Sequence, residues 1–338
     1  MTIEQFPTTT PGNAAPGVVE KIAEARGKRS PFIARQWTGD KITEPGCYLM
    51  PIEAYHSDCC DGPSISSSGL RIIENLSPAH YWAASSMNPD REPQEPSDAL
   101  ILGRAAHHLL LGEGRFREQF SIRPDEFDSW RTKAAQAWRA AEIAAGKTVL
   151  IPQHIKIVRG MARSLAAHPL IQGGLLNGEI ERSLIWKDKE TGVWLKARPD
   201  AIPIDTDIVD LKTTADASGF GCRKAIESNG YHMQMALIGM GMEAIFGRKA
   251  DEFHYTLVFV EKSPPFAVNV KPIDPNAIWW GRKQLRRAIR RFADCCASND
   301  WPAYDDDTTT ASLPDWYVRR LEMEAQSGLL PDDEDAAA

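Results

Sequence analysis

Apolar and polar positions divide the chain into segments of two periods. Residues 193–202 are apolar and extended, 203–207 carry turn residues, and 208–211 are apolar again, which predicts two strands joined by a turn. Residues 181–187 predict the strand before them, turning around Glu190, Thr191 and Gly192. Further strands are expected at 254–261 and 266–271, separated by Pro264 and Pro265, with one or two between 37 and 55. Helical periodicity marks 69–74, 152–167, 231–246 and 277–296. Trp130, Ala134, Ala137, Trp138 and Ala141 predict an amphipathic helix over 127–145 that Gly146 stops. Ser77 with Pro78 starts another helix, and Ser97 with Asp98 caps one that runs to Leu111 and ends at Gly112. One more lies near 218–228, broken by Asn229 and Gly230. Strands interleaved with helices predict an α/β chain, a central mixed β-sheet flanked by helices.

The hairpin over 193–211 carries the candidate chemistry. If its turn is symmetric about Asp205, Asp200 and Asp210 are cross-strand neighbours, with Cβ atoms ~5 Å apart. Asp210 and Lys212 are two residues apart, so a strand projects both to one face. Two like charges there repel unless a cation lies between them. Carboxylate oxygens suit Mg²⁺, or Mn²⁺, which also takes water and phosphate oxygens. Lys212 could then hold an attacking water and stabilise charge on phosphoryl oxygens. A surface hairpin with an exposed Asp210–Lys212 ion pair is the plainer alternative. Pairing about the turn at 190–192 brings Glu181 close to Asp200, as a third carboxylate on the metal or as a solvated strand-edge residue. Tyr231 and Gln234 lie three apart on one helical face. Gln234 can donate to a phosphate oxygen, orient a metal ligand, or simply border a cleft. Gly103 and His107 are four apart, which sets the histidine beside a position with no side chain.

Composition sharpens the picture. The chain has 338 residues, 43% of them hydrophobic, enough for one large domain with extensions. The formal net charge of −7 looks wrong for a nucleic-acid binder until it is located. From Asp300 onward there are 11 acidic residues against Arg319 and Arg320, so the remainder carries 35 acidic and 37 basic side chains. The expected division is a flexible N-terminal arm over 1–30, a domain over 31–304 and an acidic C-terminal tail over 305–338. The helix over 277–296 carries Arg282, Lys283, Arg286, Arg287, Arg290 and Arg291 in two rows. These form a solvated face, a phosphate track or a subunit contact. Six cysteines without a CxxC pattern fit a reduced interior. With no leader and no run approaching ~20 apolar residues, a cytoplasmic protein without membrane partners is expected.

Pro199-Asp200 followed by Asp210-Leu211-Lys212 resembles the active-site pattern of the PD-(D/E)xK nuclease superfamily. Together with Leu102-Gly103-Arg104-Ala105-Ala106-His107, Glu181, Tyr231-His232-Met233-Gln234, Ser66-Ser67-Ser68-Gly69-Leu70 and Ser77-Pro78-Ala79-His80-Tyr81, it resembles the exodeoxyribonuclease VIII (RecE-type) domain of phages and prophages, over about 65–304. The resemblance implies an α+β, restriction-endonuclease-like fold. It implies a Mg²⁺-dependent exonuclease that degrades linear double-stranded DNA from its ends, 5′ to 3′, leaving 3′ single strands for a single-strand annealing recombinase. Asp200, Asp210, the Leu211 carbonyl and His107 would hold the metal, with Glu181 in or near the set. Asp200, Asp210, Lys212, Gln234 and Glu181 would be catalytic, and Tyr231, Arg282, Arg286 and Arg290 would touch DNA. Relatives form rings, so a homo-oligomer, a trimer or tetramer, is expected, in a bacterial or phage-infected cell. Some relatives carry an iron–sulfur cluster on four spaced cysteines, a spacing this chain lacks, so no cluster is expected. The alternatives are a catalytically silent DNA-end-binding or recombinase-loading protein, and an endonuclease of the same superfamily.

Overall fold

The computed structural model describes residues 32–92, 95–111, 116–204, 206–304 and 310–330. The expected N-terminal arm, the helix stop at Gly112, the turn centre Asp205 and the chain after 330 lie outside the described residues. One compact unit runs to Ala303 and a second begins at Tyr304. The strands are β1 (Arg35–Gln36), β2 (Gly46–Leu49), β3 (Ser64–Ser66), β4 (Phe120–Ile122), β5 (Thr148–Leu150) and β6 (Glu179–Ile180). They continue with β7 (Ser183–Lys187), β8 (Trp194–Ala197), β9 (Ala201–Ile202), β10 (Asp207–Thr214), β11 (His254–Glu261) and β12 (Val268–Pro272). The longer helices of the first unit are α1 (Ser67–Asn75), α2 (Pro78–Ala84), α3 (Asp98–Leu110), α4 (Lys133–Ala144), α5 (Pro152–Ala167), α6 (Gly219–Ser228), α7 (Tyr231–Phe246) and α8 (Pro275–Ser298). The second unit holds α9 (Asp315–Gln326), in the stretch expected as an acidic tail. No helix among the described residues is long and apolar enough to cross a membrane.

The strands form two five-stranded sheets, ordered β1-β2-β7-β8-β3 and β12-β11-β10-β9-β6, where the sequence predicts one central mixed sheet. A single kinked hairpin joins them. Its first arm passes from β6 to β7 and its second returns from β8 to β9, so each arm serves both sheets. Leu184 pairs with Ala197 and Ile180 with Ala201, which is one register carried straight through the bend. At the bend Glu181 faces Asp200, its N–H donating to the Asp200 carbonyl at 3.1 Å. Two residues cause the kink. Glu181 has φ +53°, in the left-handed region that side chains rarely adopt, and Pro199 has no N–H to give the ladder.

The second sheet is buried on both faces. Val209 and Leu211 pack with Leu102 and Ala106 of α3 and with Val158, Met161 and Leu165 of α5. Ile208 packs with α7 and α8 in the larger core. A strand alternates its faces, so Asp210 and Lys212 share the α7 side with Ile208. Helix α7 is apolar almost all round because it lies between the sheets and α8, and Met233, Met235, Ala236, Leu237 and Ile238 are all fully buried. Contact with α8 is close at Gly281, where a Cβ would stand 2.8 Å from the His232 carbonyl oxygen.

Two departures from the sequence pattern have local causes. Helix α4 starts at Lys133 and not near 127, because Thr132 caps it, its hydroxyl accepting the Ala135 N–H at 3.2 Å. Trp130 instead stacks on Trp138, ring centroids 6.2 Å apart. The parallel pair β4–β5 is three residues long on each side, too short to leave a periodic signal.

Gly281→Ala should therefore destabilise the fold by about 1–3 kcal/mol, the usual cost of overpacking. Gly62→Ala, whose Cβ would meet only Trp194 at 3.7 Å, should cost less than ~1 kcal/mol. Denaturant unfolding of the two variants checks the contrast.

Candidate active site

The pairing of Val209 with Ala201, continued by one residue, sets Asp210 opposite Asp200. Both are buried, 0% and 6% exposed. The Leu211 N–H donates to Asp200 Oδ2 at 2.6 Å. Gln234 of α7 donates from Nε2 to Asp210 Oδ1 at 2.8 Å, and its Oε1 accepts from Lys212 Nζ at 3.0 Å. Lys212 also ion-pairs with Asp210, and its Nζ lies 4.6 Å from the centre of the Tyr231 ring. From α3, His107 brings Nδ1 to 3.3 Å from Asp200 Oδ2. Glu181 ion-pairs with Arg198, whose Nη1 donates to the Met50 carbonyl at 3.0 Å and to Ser183 Oγ at 2.9 Å.

The charges share a logic. Burial and the neighbouring Asp200 carboxylate push Asp210 above the ordinary carboxyl range. Burial works the same way on Asp200, but His107 and Lys212 outweigh it and hold that carboxyl below its usual value. Burial opposes charge on His107, yet the Asp200 carboxylate beside it lifts the imidazole to about 9. Lys212 is likewise opposed by burial and raised by Asp210 and Asp200. The protein thus gathers protons and cations around its carboxylates, as a site built for positive charge would.

The donors fit a divalent cation. One ligand atom each from His107, Glu181 and Asp200 lie within 4.8 Å of one another, slightly wider than the ~4.2 Å that opposite ligands span at ~2.1 Å bonds. The two carboxylates suit Mg²⁺ or Mn²⁺ in type, with the His107 imidazole as a third donor. The geometry brings Glu181 into this group, where the sequence left its role open. Asp210 stands behind it, engaged by Lys212 and Gln234. The Leu211 N–H reaches the site through Asp200.

His107, Glu181, Asp200, Lys212 and Gln234 line a cleft of about 760 Å³, to which α1 adds Arg71 and α3 adds Arg104, while Asp210 is buried beneath its surface. No sequence pattern marks Arg71, which lies 5.9 Å from the centre of the Tyr231 ring and donates to the Asn229 carbonyl. Only the approach of α1 to α7 gives it a place in the site, and no local pattern encodes that. None of the arginines of the α8 stripe lines this cleft. Arg282 pairs with Glu243, Arg286 with Asp188, and Arg290 with Glu190. The turn between β7 and β8 packs on α8 and supplies Asp188 and Glu190, so Arg286 and Arg290 meet carboxylates of the same chain.

Residues 66–310 match the family described as a PDDEXK-like domain of unknown function (DUF3799). Among solved structures, the fold is similar to that of a protein of Eubacterium rectale described as a candidate exonuclease, with a TM-score of 0.55, 13% identity, and coverage of 79% of this chain and 96% of that one. An alkaline exonuclease of Laribacter hongkongensis gives a TM-score of 0.24 at 10% identity, covering 50% of this chain and 84% of that one. A protein called SSO0001 gives 0.23 at 16% identity, covering 57% and 86%. Both are too distant to bear on the fold. No curated protein matches the sequence. With more than half its length matched and Asp200 and Lys212 of the Pro199-Asp200 and Asp210-Leu211-Lys212 motifs lining the cleft, the chain belongs to the PDDEXK-like family and has the fold of the PD-(D/E)xK nucleases.

Proposed function

We propose that this chain is a divalent-metal-dependent exodeoxyribonuclease that hydrolyses linear double-stranded DNA from its ends. The observation that carries the proposal is the convergence of His107, Glu181 and Asp200 in one cleft with Lys212 and Gln234, which are held to the buried Asp210. A Mg²⁺ or Mn²⁺ ion held by His107, Glu181 and Asp200, with Asp210 beside it, would supply Lewis acidity and charge neutralisation at a phosphodiester. The protein's own groups divide the remaining work. Lys212, held by Asp210 and Gln234, positions the attacking water and faces charge growing on the phosphoryl oxygens. Gln234 fixes the orientation of both Asp210 and Lys212, and Tyr231 supports the ammonium from one side. The resemblance to RecE-type domains supports a 5′ to 3′ direction, a 3′ single strand passed to an annealing recombinase, and a ring-shaped homo-oligomer working in the cytoplasm.

Linear duplexes labelled at the 5′ or the 3′ end, with a closed circular plasmid beside them, test the proposal directly. The expected result is Mg²⁺- or Mn²⁺-dependent release of 5′ label and an intact circle. Cutting of the circle would point to an endonuclease. Full activity in EDTA would contradict the metal site.

Asp210→Asn should lower cleavage by at least ~10²-fold, the scale on which a single charge-positioning group acts. In EDTA its melting temperature should equal or exceed that of the wild type, since burial and Asp200 both disfavour the Asp210 anion. A large drop in melting temperature would show that Asp210 is a structural ion-pair partner.

Lys212→Met should also lower kcat by ~10²-fold or more, while Mg²⁺ still raises the melting temperature. At 100 times its dissociation constant the ion should stabilise this variant by ~2.7 kcal/mol, as it does the wild type. Loss of that stabilisation would place Lys212 in the metal site itself.

A further inference from the structure

Most arginines near the catalytic region are neutralised. On α8, Arg282, Arg286, Arg287 and Arg290 pair with Glu243, Asp188, Glu74 and Glu190. In the cleft the ion pairs are His107–Asp200, Arg198–Glu181 and Lys212–Asp210. Arg71 and Arg104 also line the cleft, and among the described residues neither forms an ion pair with a carboxylate.

Arg71 is half-buried on α1. It donates Nε to the Ser67 carbonyl at 3.3 Å and Nη1 to the Asn229 carbonyl at 2.5 Å, which leaves donors over from the five of a guanidinium. Burial lowers its affinity for a proton, and the neighbouring Tyr231 and Asp210 only partly offset this. It stays a cation nonetheless, and a cation drawn out of water without a counter-anion is costly. Arg104 lies three residues before His107 on α3, so both share one face of the helix. It is exposed, and no side-chain hydrogen bond holds it within the protein. Two cations without a carboxylate partner among the described residues, one half-buried and one exposed, thus stand on separate walls of the cleft, where an extended anion could reach both. A nucleic-acid backbone carries charges spaced along its length, and phosphate contacts of this kind set its position and most of its affinity.

We propose that Arg71 and Arg104 are two phosphate-binding subsites that hold one DNA backbone from the α1 and α3 walls, so that the substrate track runs through the cleft and not along α8. The assignment rests on the nuclease reading given above. Its test is the salt dependence of binding of a labelled linear duplex to the full chain in EDTA, followed by fluorescence anisotropy. Each of Arg71→Gln and Arg104→Gln should lower the slope of log K against log salt by about one, and the double variant by about two. Arg71→Lys and Arg104→Lys keep the charge and should keep the slope, which separates phosphate contact from misfolding. Arg286→Gln with Arg290→Gln should leave the slope unchanged. Unchanged slopes in the two cleft glutamine variants, or a loss confined to the α8 pair, would overturn the assignment. Cleavage measured on the same preparations keeps the two readings apart. Mg²⁺-dependent hydrolysis with unchanged slopes removes the subsites and keeps the nuclease. Lowered slopes without hydrolysis by the wild type remove the nuclease and keep a DNA-binding cleft. No binding by the wild type overturns both.

Discussion

Two buried carboxylates set the terms for everything around them. Asp200 and Asp210 sit opposite each other with almost no access to water, and an unopposed pair of this kind is among the most expensive arrangements a fold can hold. The structure opposes them group by group. Asp200 accepts the Leu211 N–H and faces His107, while Asp210 is held by Gln234 and Lys212. Glu181 adds a third negative charge beside them and is matched by Arg198. Apolar side chains of similar volume often give a more stable core than a buried ion cluster, so stability does not explain this one. The proposed cation site gives the cluster a purpose.

The kinked hairpin brings the cluster together. Its register never slips, so Glu181 must face Asp200, and the next pairing must set Asp200 opposite Asp210. Without the bend, both arms would continue in one sheet and Glu181 would point along it. With Glu181 in the left-handed region and Pro199 in the other arm, the ladder opens where the carboxylates lie, and His107 can enter from α3. Arg198 fastens the bend by tying Glu181 to Ser183 and to the Met50 carbonyl. Backbone strain of this kind tends to collect at functional sites, where the surrounding structure holds it in place.

Much of this was legible in the chain. Symmetry about Asp205 placed Asp200 opposite Asp210, and the turn at 190–192 placed Glu181 opposite Asp200, because register in a hairpin follows from counting residues. His107 needed the resemblance, since one histidine on an apolar helix carries no address. What stayed hidden depends on contacts between distant segments. Arg286 meets Asp188 across 98 residues and Arg71 meets Asn229 across 158, and nothing local distinguishes such arginines from a solvated row. The division into two sheets was hidden for a related reason. Residues 193–202 read as one strand because the apolar pattern continues through the bend, which is made by backbone geometry at Glu181 and by Pro199.

The central claim is that His107, Glu181 and Asp200 form a cation site. Anomalous diffraction from crystals soaked in Mn²⁺ tests it most directly. The account predicts one strong peak within ~2.3 Å of an imidazole nitrogen of His107 and of carboxylate oxygens of Glu181 and Asp200, the range expected for oxygen and nitrogen ligands. A peak bound elsewhere, with Glu181 still on Arg198 and His107 still on Asp200, would contradict it.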